Sequence, residues 1–306
     1  MDTMKTEDEQ NRAGVIAAIC AFVFWGLAPV YWKQLAHVPA FEVLCHRILW
    51  SLFFAGILLG VRKEWAAFRT IFSSRRKMFL LTCSGLVVGG NWGLYIWAVN
   101  SNMVLQTSLG YYITPLVSVL MGVIVFHERI RPIQVCAVLL VIAGVLTQII
   151  LVGELPWVSL TLAISFAFYG LLRKLANVES LAGLMFETVL LIPFVVYYLT
   201  SLELEGTGAF LHVNAMTDMY LIGAGIITSL PLIWFAYAAC RIRLTTLGVI
   251  QYVAPSLAFL QGVFLFNEPF STGHMFTFTL IWTALLLYSG EGWIQRSRRG
   301  MHAEEL

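Results

Sequence analysis

Residues 112–128 read YITPLVSVLMGVIVFHE, and residues 252–268 read YVAPSLAFLQGVFLFNE. At an offset of 140 the stretches share seven of seventeen positions: Tyr112/Tyr252, Pro115/Pro255, Leu120/Leu260, Gly122/Gly262, Val123/Val263, Phe126/Phe266 and Glu128/Glu268. Each is apolar for long enough to cross a hydrocarbon core of about 30 Å, carries an internal proline, and ends on a glutamate. Small residues recur at every fourth position, Thr114-Ser118-Gly122 in one and Ala254-Ala258-Gly262 in the other. That spacing lines one helix face with small side chains, where backbones approach closely in lipid. A repeated, proline-interrupted apolar helix points to an internally duplicated membrane protein.

Composition agrees. Hydrophobic residues make up 59% of the chain and charged residues 12%, against about 25% charged in soluble domains. Mean hydropathy is +0.81. The net charge of +2 is too small, and its basic residues too scattered, for a nucleic-acid surface. Cys20, Cys45, Cys83, Cys136 and Cys240 all fall in apolar runs without metal-ligand spacing, so they read as small core hydrophobes. The N-terminus is acidic before a long apolar run, unlike a cleavable signal, so the first run is expected to be a retained helix.

Ten apolar runs approach membrane-spanning length. The first five cover residues 13–35, 40–61, 77–100, 103–126 and 132–151. The second five cover 156–172, 181–200, 219–240, 244–266 and 272–293. Pro29, Pro115, Pro193, Pro231 and Pro255 lie inside these runs and are expected to kink or open them. With the N-terminus inside, seventeen of the nineteen lysines and arginines fall on the cytoplasmic side, Lys33 falls outside, and Arg47 sits within the second span. The positive-inside bias then puts both termini in the cytoplasm. The acidic stretch 201–218 becomes an external loop.

Five spans per half force the halves to run in opposite directions. The expected fold is therefore an all-α polytopic membrane protein with ten transmembrane helices in a five-plus-five inverted repeat. Residues 1–12 and 294–306 form cytoplasmic tails, with the first repeat over 13–151 and the second over 156–293. Weaker copies support the seam: Phe24-Trp25-Gly26-Leu27 resembles Phe168-Tyr169-Gly170-Leu171, and Lys33-Gln34-Leu35-Ala36 matches Arg173-Lys174-Leu175-Ala176.

Ten spans with a proline-to-glutamate motif closing each half resemble the EamA branch of the drug/metabolite transporter superfamily. Residues 42–51, EVLCHRILWS, together with 91–100, NWGLYIWAVN, and 108–112, SLGYY, look like its RarD-type subgroup. The resemblance implies a small-molecule exporter or permease of a bacterial-type inner membrane. Its central cavity would be lined by spans 1–4 and 6–9, with spans 5 and 10 peripheral, and substrates would be metabolites, amino-acid-like compounds or amphipathic drugs. Two departures are visible. The first span lacks the glutamate through which small multidrug-resistance relatives couple to protons. No lysine lies near mid-membrane, as it does in sugar-phosphate relatives.

Arg47, seven residues into its helix and so about 10 Å deep, is the leading substrate-binding candidate. Its structural alternative is an ion pair, and Glu187, at the repeat-equivalent position, is the expected partner or a coupling residue. Asn91, Trp92, Tyr95, Tyr111 and Tyr112 combine aromatic faces with polar tips, as does Trp97, and suit a cavity for a partly apolar ligand. Trp25, Trp234, Tyr237 and Gln251 follow on the same logic. Glu42 and His46 share a helix face but read as an interfacial, solvated pair rather than a metal or acid–base site. Pro115, Gly122 and Glu128, with Pro255, Gly262 and Glu268, read as the structural repeat motif. Each glutamate would bring its carboxylate to the N-terminus of the next helix.

No HExxH, GxSxG or P-loop is present, so no enzyme activity, metal or cofactor is expected. Partners reduce to the lipid bilayer and a small-molecule substrate, with a proton or sodium gradient as the open energy source and the oligomeric state unspecified. A membrane-embedded enzyme acting on a lipid or prenyl group, or a non-transporting receptor or assembly subunit, is the alternative.

Overall fold

A computed structural model describes the backbone of residues 2–127, 132–239, 241–242 and 250–304. Among the described residues the chain is helical throughout, without strands. The helices are α1 (Asp2–Gln34), α2 (Ala40–Arg62), α3 (Trp65–Ile71), α4 (Arg75–Asn100), α5 (Val104–Phe126) and α6 (Pro132–Thr147). They continue with α7 (Trp157–Ala176), α8 (Ser180–Glu205), α9 (Ala215–Ala239), α10 (Val253–Leu260) and α11 (Thr272–Glu304). Eight segments are long and apolar enough to cross a membrane, and Val253–Leu265 and Thr272–Leu287 are shorter apolar helices. The surface suits lipid: Ile124, Phe194, Tyr197 and Leu286 are more than two-thirds exposed, while Arg47, Asn91, Glu187 and Gln261 are buried.

The chain is a polytopic α-helical membrane protein, and its helices pack in definite pairs. α1 runs along α9, α2 lies against α8 and α9, α4 against α7 and α8, and α5 along α7. α10 packs on α1 and α5. α6 and α11 pack chiefly on each other and reach the bundle through α5. Close crossings depend on glycine. A Cβ at Gly225 of α9 would lie 2.5 Å from the Trp50 backbone carbon of α2, and one at Gly110 of α5 would lie 2.8 Å from the Ser159 carbonyl of α7. In lipid these close approaches supply much of the helix association.

Several expectations change. Helix α3 was not anticipated; its seven residues are too short and too mixed in polarity for a span signal. The run 244–266 contributes only α10 and a π-helical turn, Gln261–Leu265, among the described residues. The stretch 201–218 is not a free loop. α8 continues to Glu205, α9 begins at Ala215 with Asn214 Oδ1 accepting the Thr217 N–H at 2.8 Å, and of the residues between Ala209 is buried while Leu211 and Val213 are exposed. Cys20 and Cys136 lie on the apolar exterior rather than in the core. Glu128 and Cys240 fall outside the described residues.

Glu268 caps a helix, but not the next one. Its carboxylate accepts the N–H of Val104 at 2.6 Å and of Leu105 at 2.7 Å, at the start of α5 in the other half. The first-turn N–H groups of a helix have no partner within it and carry partial positive charge, so a buried carboxylate there answers both needs. Gly262 sits one turn earlier, where a Cβ would meet the Leu105 side chain at 3.0 Å. Hydrogen bonds to a charged group contribute about 1.5–3 kcal/mol each. Glu268→Ala should therefore cost roughly 3 kcal/mol or more, and Glu268→Gln, which keeps one acceptor oxygen, about half. The thermal midpoint of the purified variants measures this, and an unchanged midpoint in Glu268→Ala would rule out the cap.

Candidate functional site

Three helices bring aromatic residues onto one guanidinium. Arg47 of α2 is 8% exposed. Its guanidinium carbon lies 4.3 Å from the Trp92 ring centre of α4 and 5.2 Å from that of Trp32 of α1. Tyr95 of α4 and Tyr111 of α5, ring centres 5.8 Å apart, belong to the same buried cluster as Trp32 and Trp92. Among the described residues no carboxylate comes within ion-pairing distance of Arg47, and its Nε has no hydrogen-bond partner. A desolvated cation–π contact contributes about 2 kcal/mol. An arginine inside a bilayer costs from about 2.5 to well over 10 kcal/mol; two indole faces offset about 4 kcal/mol of that and supply no hydrogen-bond acceptor. The arrangement is a cation in an aromatic box with room in its bonding for an acceptor.

Glu187 is not the partner of Arg47. It is 1% exposed, accepts from Arg173 at 3.3 Å, from the Ser84 hydroxyl, and from the Tyr169 hydroxyl at 3.4 Å. Arg173 also donates to the Glu179 and Ser180 carbonyls at 3.3 and 3.2 Å. The basic residue counted as a cytoplasmic loop charge thus reaches back into the bundle. The three-residue turn between α7 and α8 explains it: an arginine just before the turn and a glutamate two turns after it lie alongside each other. Ser84, Arg173 and Trp32 escaped sequence reasoning. Only Arg173 carried a signal, shared with Lys174, because a glutamate inside a span requires a cation and these two are the nearest basic residues on an adjoining helix.

The other candidates separate. Asn91 is buried and donates to the Leu162 carbonyl at 3.1 Å and the Ser165 hydroxyl at 2.8 Å, tying α4 to α7, while its Oδ1 has no partner. Trp92, Tyr95 and Tyr111 gather on Arg47. Tyr112 points elsewhere, hydrogen-bonded to Ser256 at 2.6 Å and packed with Tyr252, Phe278 and Trp282. Trp25 packs on Phe22 and Phe235, Trp234 on Phe24, and the Tyr237 ring lies 3.6 Å from the Arg241 guanidinium. Gln251 is half-buried near the start of α10. Trp97 faces an apolar groove of about 290 Å³ with Phe41, Leu94 and Trp157, outside the aromatic box. Glu42 is not solvated: it is 1% exposed and accepts the Ala209 N–H at 2.7 Å.

The Arg173–Glu187 contact predicts a coupling. Arg173→Met leaves a buried carboxylate without its cation and should cost about 3 kcal/mol, most of which the additional change Glu187→Gln recovers. Thermal unfolding of the two single variants and the double variant reads it, and strictly additive losses would show that the pair contributes nothing.

Residues 12–150 match the EamA-like transporter family. The chain is 43% identical to the protein named RarD of Escherichia coli (strain K12) over 281 residues, 92% of this chain and 95% of that one. It is 40% identical to the uncharacterized transporter YojE of Bacillus subtilis (strain 168), covering 92% and 94%. It is 31% identical to a Pseudomonas aeruginosa protein named chloramphenicol-sensitive protein RarD, covering 92% and 93%. A solved crystal structure aligns over 90% of this chain and 96% of its own, at TM-score 0.58 and 19% identity, a likeness of fold alone. With these relatives matched along nearly their whole length, the chain belongs to the RarD group of the EamA-like transporters, membrane proteins of the drug/metabolite superfamily.

Proposed function

We propose that the protein is an exporter or permease of small organic compounds that carry an acidic or strongly polar group on an apolar or aromatic body. The observation carrying this reading is Arg47, buried between Trp32 and Trp92 with no carboxylate among the described residues on it. Arginine suits the task because it stays charged and donates two parallel hydrogen bonds to a carboxylate. Trp92, Tyr95 and Tyr111 would hold the apolar body, and the free Oδ1 of Asn91 would add an acceptor. Amphipathic, amino-acid-like or drug-like substrates fit such a box, and one relative is named for chloramphenicol sensitivity. Tyr112, Trp25, Trp234, Tyr237 and Gln251 are second-rank lining residues that other states of the cycle would have to bring inward.

Movement would be alternating access between two inverted five-helix repeats, 13–151 and 156–293, flanked by tails 1–12 and 294–306. Helix pairing supports the exchange. α1 on α9 corresponds to α7 on α4, α5 on α7 corresponds to α10 on α1, and the α2–α8 and α6–α11 pairs each correspond to themselves. The lysine and arginine bias supports an inner-membrane protein with both termini cytoplasmic.

Purified protein in liposomes, offered a mixed metabolite pool with mass spectrometry of what crosses, identifies the substrate. With it, Arg47→Lys should lower flux by roughly tenfold or more while leaving the thermal midpoint nearly unchanged, because the bidentate geometry is lost and the charge kept. A stable Arg47→Gln variant with unchanged flux would remove Arg47 from the site. Orientation has its own check: a reporter fused after Ser101 should behave as external and one after Arg131 as internal, and a cytoplasmic signal at Ser101 would overturn the inverted repeat.

A further inference from the structure

The connection 206–214 between α8 and α9 is held down by carboxylates. Glu42 of α2 accepts the Ala209 N–H at 2.7 Å, and Asp218 of α9 accepts the Leu211 N–H at 2.7 Å. Leu211 adopts a left-handed conformation, φ +65°, which a leucine rarely takes and which its bond to Asp218 helps to hold. A third contact, the His212 ring 3.1 Å from Glu203, is largely exposed and holds weakly. Beneath this connection lies His46, 3% exposed, with the Phe210 ring centred 4.9 Å away. Neither ring nitrogen of His46 has a hydrogen-bond partner, and neither does Glu42 Oε2. The substrate reading above uses none of these groups.

We propose that Glu42 and His46 form a proton-binding site, and that residues 206–214 are a lid whose docking competes with that proton. With the lid down, His46 is sealed in and neutral, since an imidazolium there would leave two charged N–H donors unmatched in a buried site. Once the lid lifts, water reaches the ring and His46 takes up a proton. The carboxylates available to neutralise it are Glu42, one helical turn away on the same face, and Asp218, which holds the lid at Leu211. Both are the acceptors that hold the lid. A protonated His46 therefore draws Glu42 and Asp218 off the Ala209 and Leu211 amides, and re-docking requires the proton to leave for water.

The remaining charged and titratable neighbours do not offer His46 another counter-charge. Cys45 and Tyr198 border Glu42 and are uncharged, and Glu205 faces Tyr198. Arg47, the next residue on α2, is a cation turned to the aromatic box. Its proximity gives the proton a consequence: charging His46 changes the field at the substrate's proposed anchor, which would link proton uptake to substrate exchange. The lid mechanism itself stands or falls without Arg47.

Hydrogen–deuterium exchange of the purified full chain tests the proposal without a substrate. Histidine titrates between about pH 5 and 8, so exchange corrected for its intrinsic pH dependence is compared near those limits. A difference of one pH unit between the docked and undocked affinities for the proton shifts the lid equilibrium about tenfold. Peptides covering 206–214 should lose protection by about that factor at the acid limit in the unaltered protein. His46→Gln cannot titrate, and Glu42→Gln keeps an acceptor for Ala209 but cannot neutralise an imidazolium. His46→Gln should keep the lid protected at either pH, and Glu42→Gln, with Asp218 still able to meet the imidazolium, should lose most of the pH response. Equal protection across the pH range in the unaltered protein, or an undiminished response in either variant, would overturn the proposal. Should His46→Gln fail to fold, Glu42→Gln decides alone.

Discussion

Hydrocarbon offers no hydrogen bonds, so each polar group inside this bundle must be matched by another part of the chain. That requirement organises what the structure does with its few internal charges. Glu187 is matched three times over, by Arg173, Ser84 and Tyr169. Glu268 is matched by two backbone N–H groups of α5. Glu42 is matched on one oxygen, by Ala209. Arg47 receives aromatic faces and no anion. A cation left in this condition is either a strain on the fold or a place reserved for a ligand, and a gathering of two indoles and two phenols around it suits the second.

Arg47 and Glu187 stand at equivalent positions of the two sequence repeats, yet their surroundings differ in kind. The glutamate is bound between α4, α7 and α8, where α4 meets the later helices. The arginine lies where α1, α2, α4 and α5 converge. Two positions that the sequence repeat aligns thus hold an ion pair in one case and, among the described residues, a cation without a carboxylate in the other.

Much of the architecture was legible in the sequence because lipid enforces length and apolarity so strictly. The segments near 40, 77, 104 and 181 begin within a few residues of their helices, since proline, serine or a short polar break marks each start. Arg47 and its neighbours Trp92, Tyr95 and Tyr111 were also legible, being polar or amphipathic groups in spans that had no need of them. What the sequence hid were contacts between distant segments. Nothing in residues 201–218 indicates that the Ala209 amide returns to Glu42, 167 residues earlier. Nor does the spacing of Glu268 say that it caps α5 rather than α11, because both starts lie at the same end of the bundle. Tyr111 and Tyr112 illustrate the remaining limit: adjacent residues on a helix point about 100° apart, so one joins Arg47 and the other the packing of α5 against α10 and α11.

The cap at α5 also sets an order of events during synthesis. Val104 and Leu105 emerge 164 and 163 residues before the carboxylate that receives their N–H groups. At about 5–20 residues per second, that is a wait of roughly ten to thirty seconds. Through that interval the first turn of α5 has its amides facing water or the headgroup region, and the seat for α10 stays unformed. The segment carrying Glu268 thus fastens the start of α5 only after most of the later helices have been made.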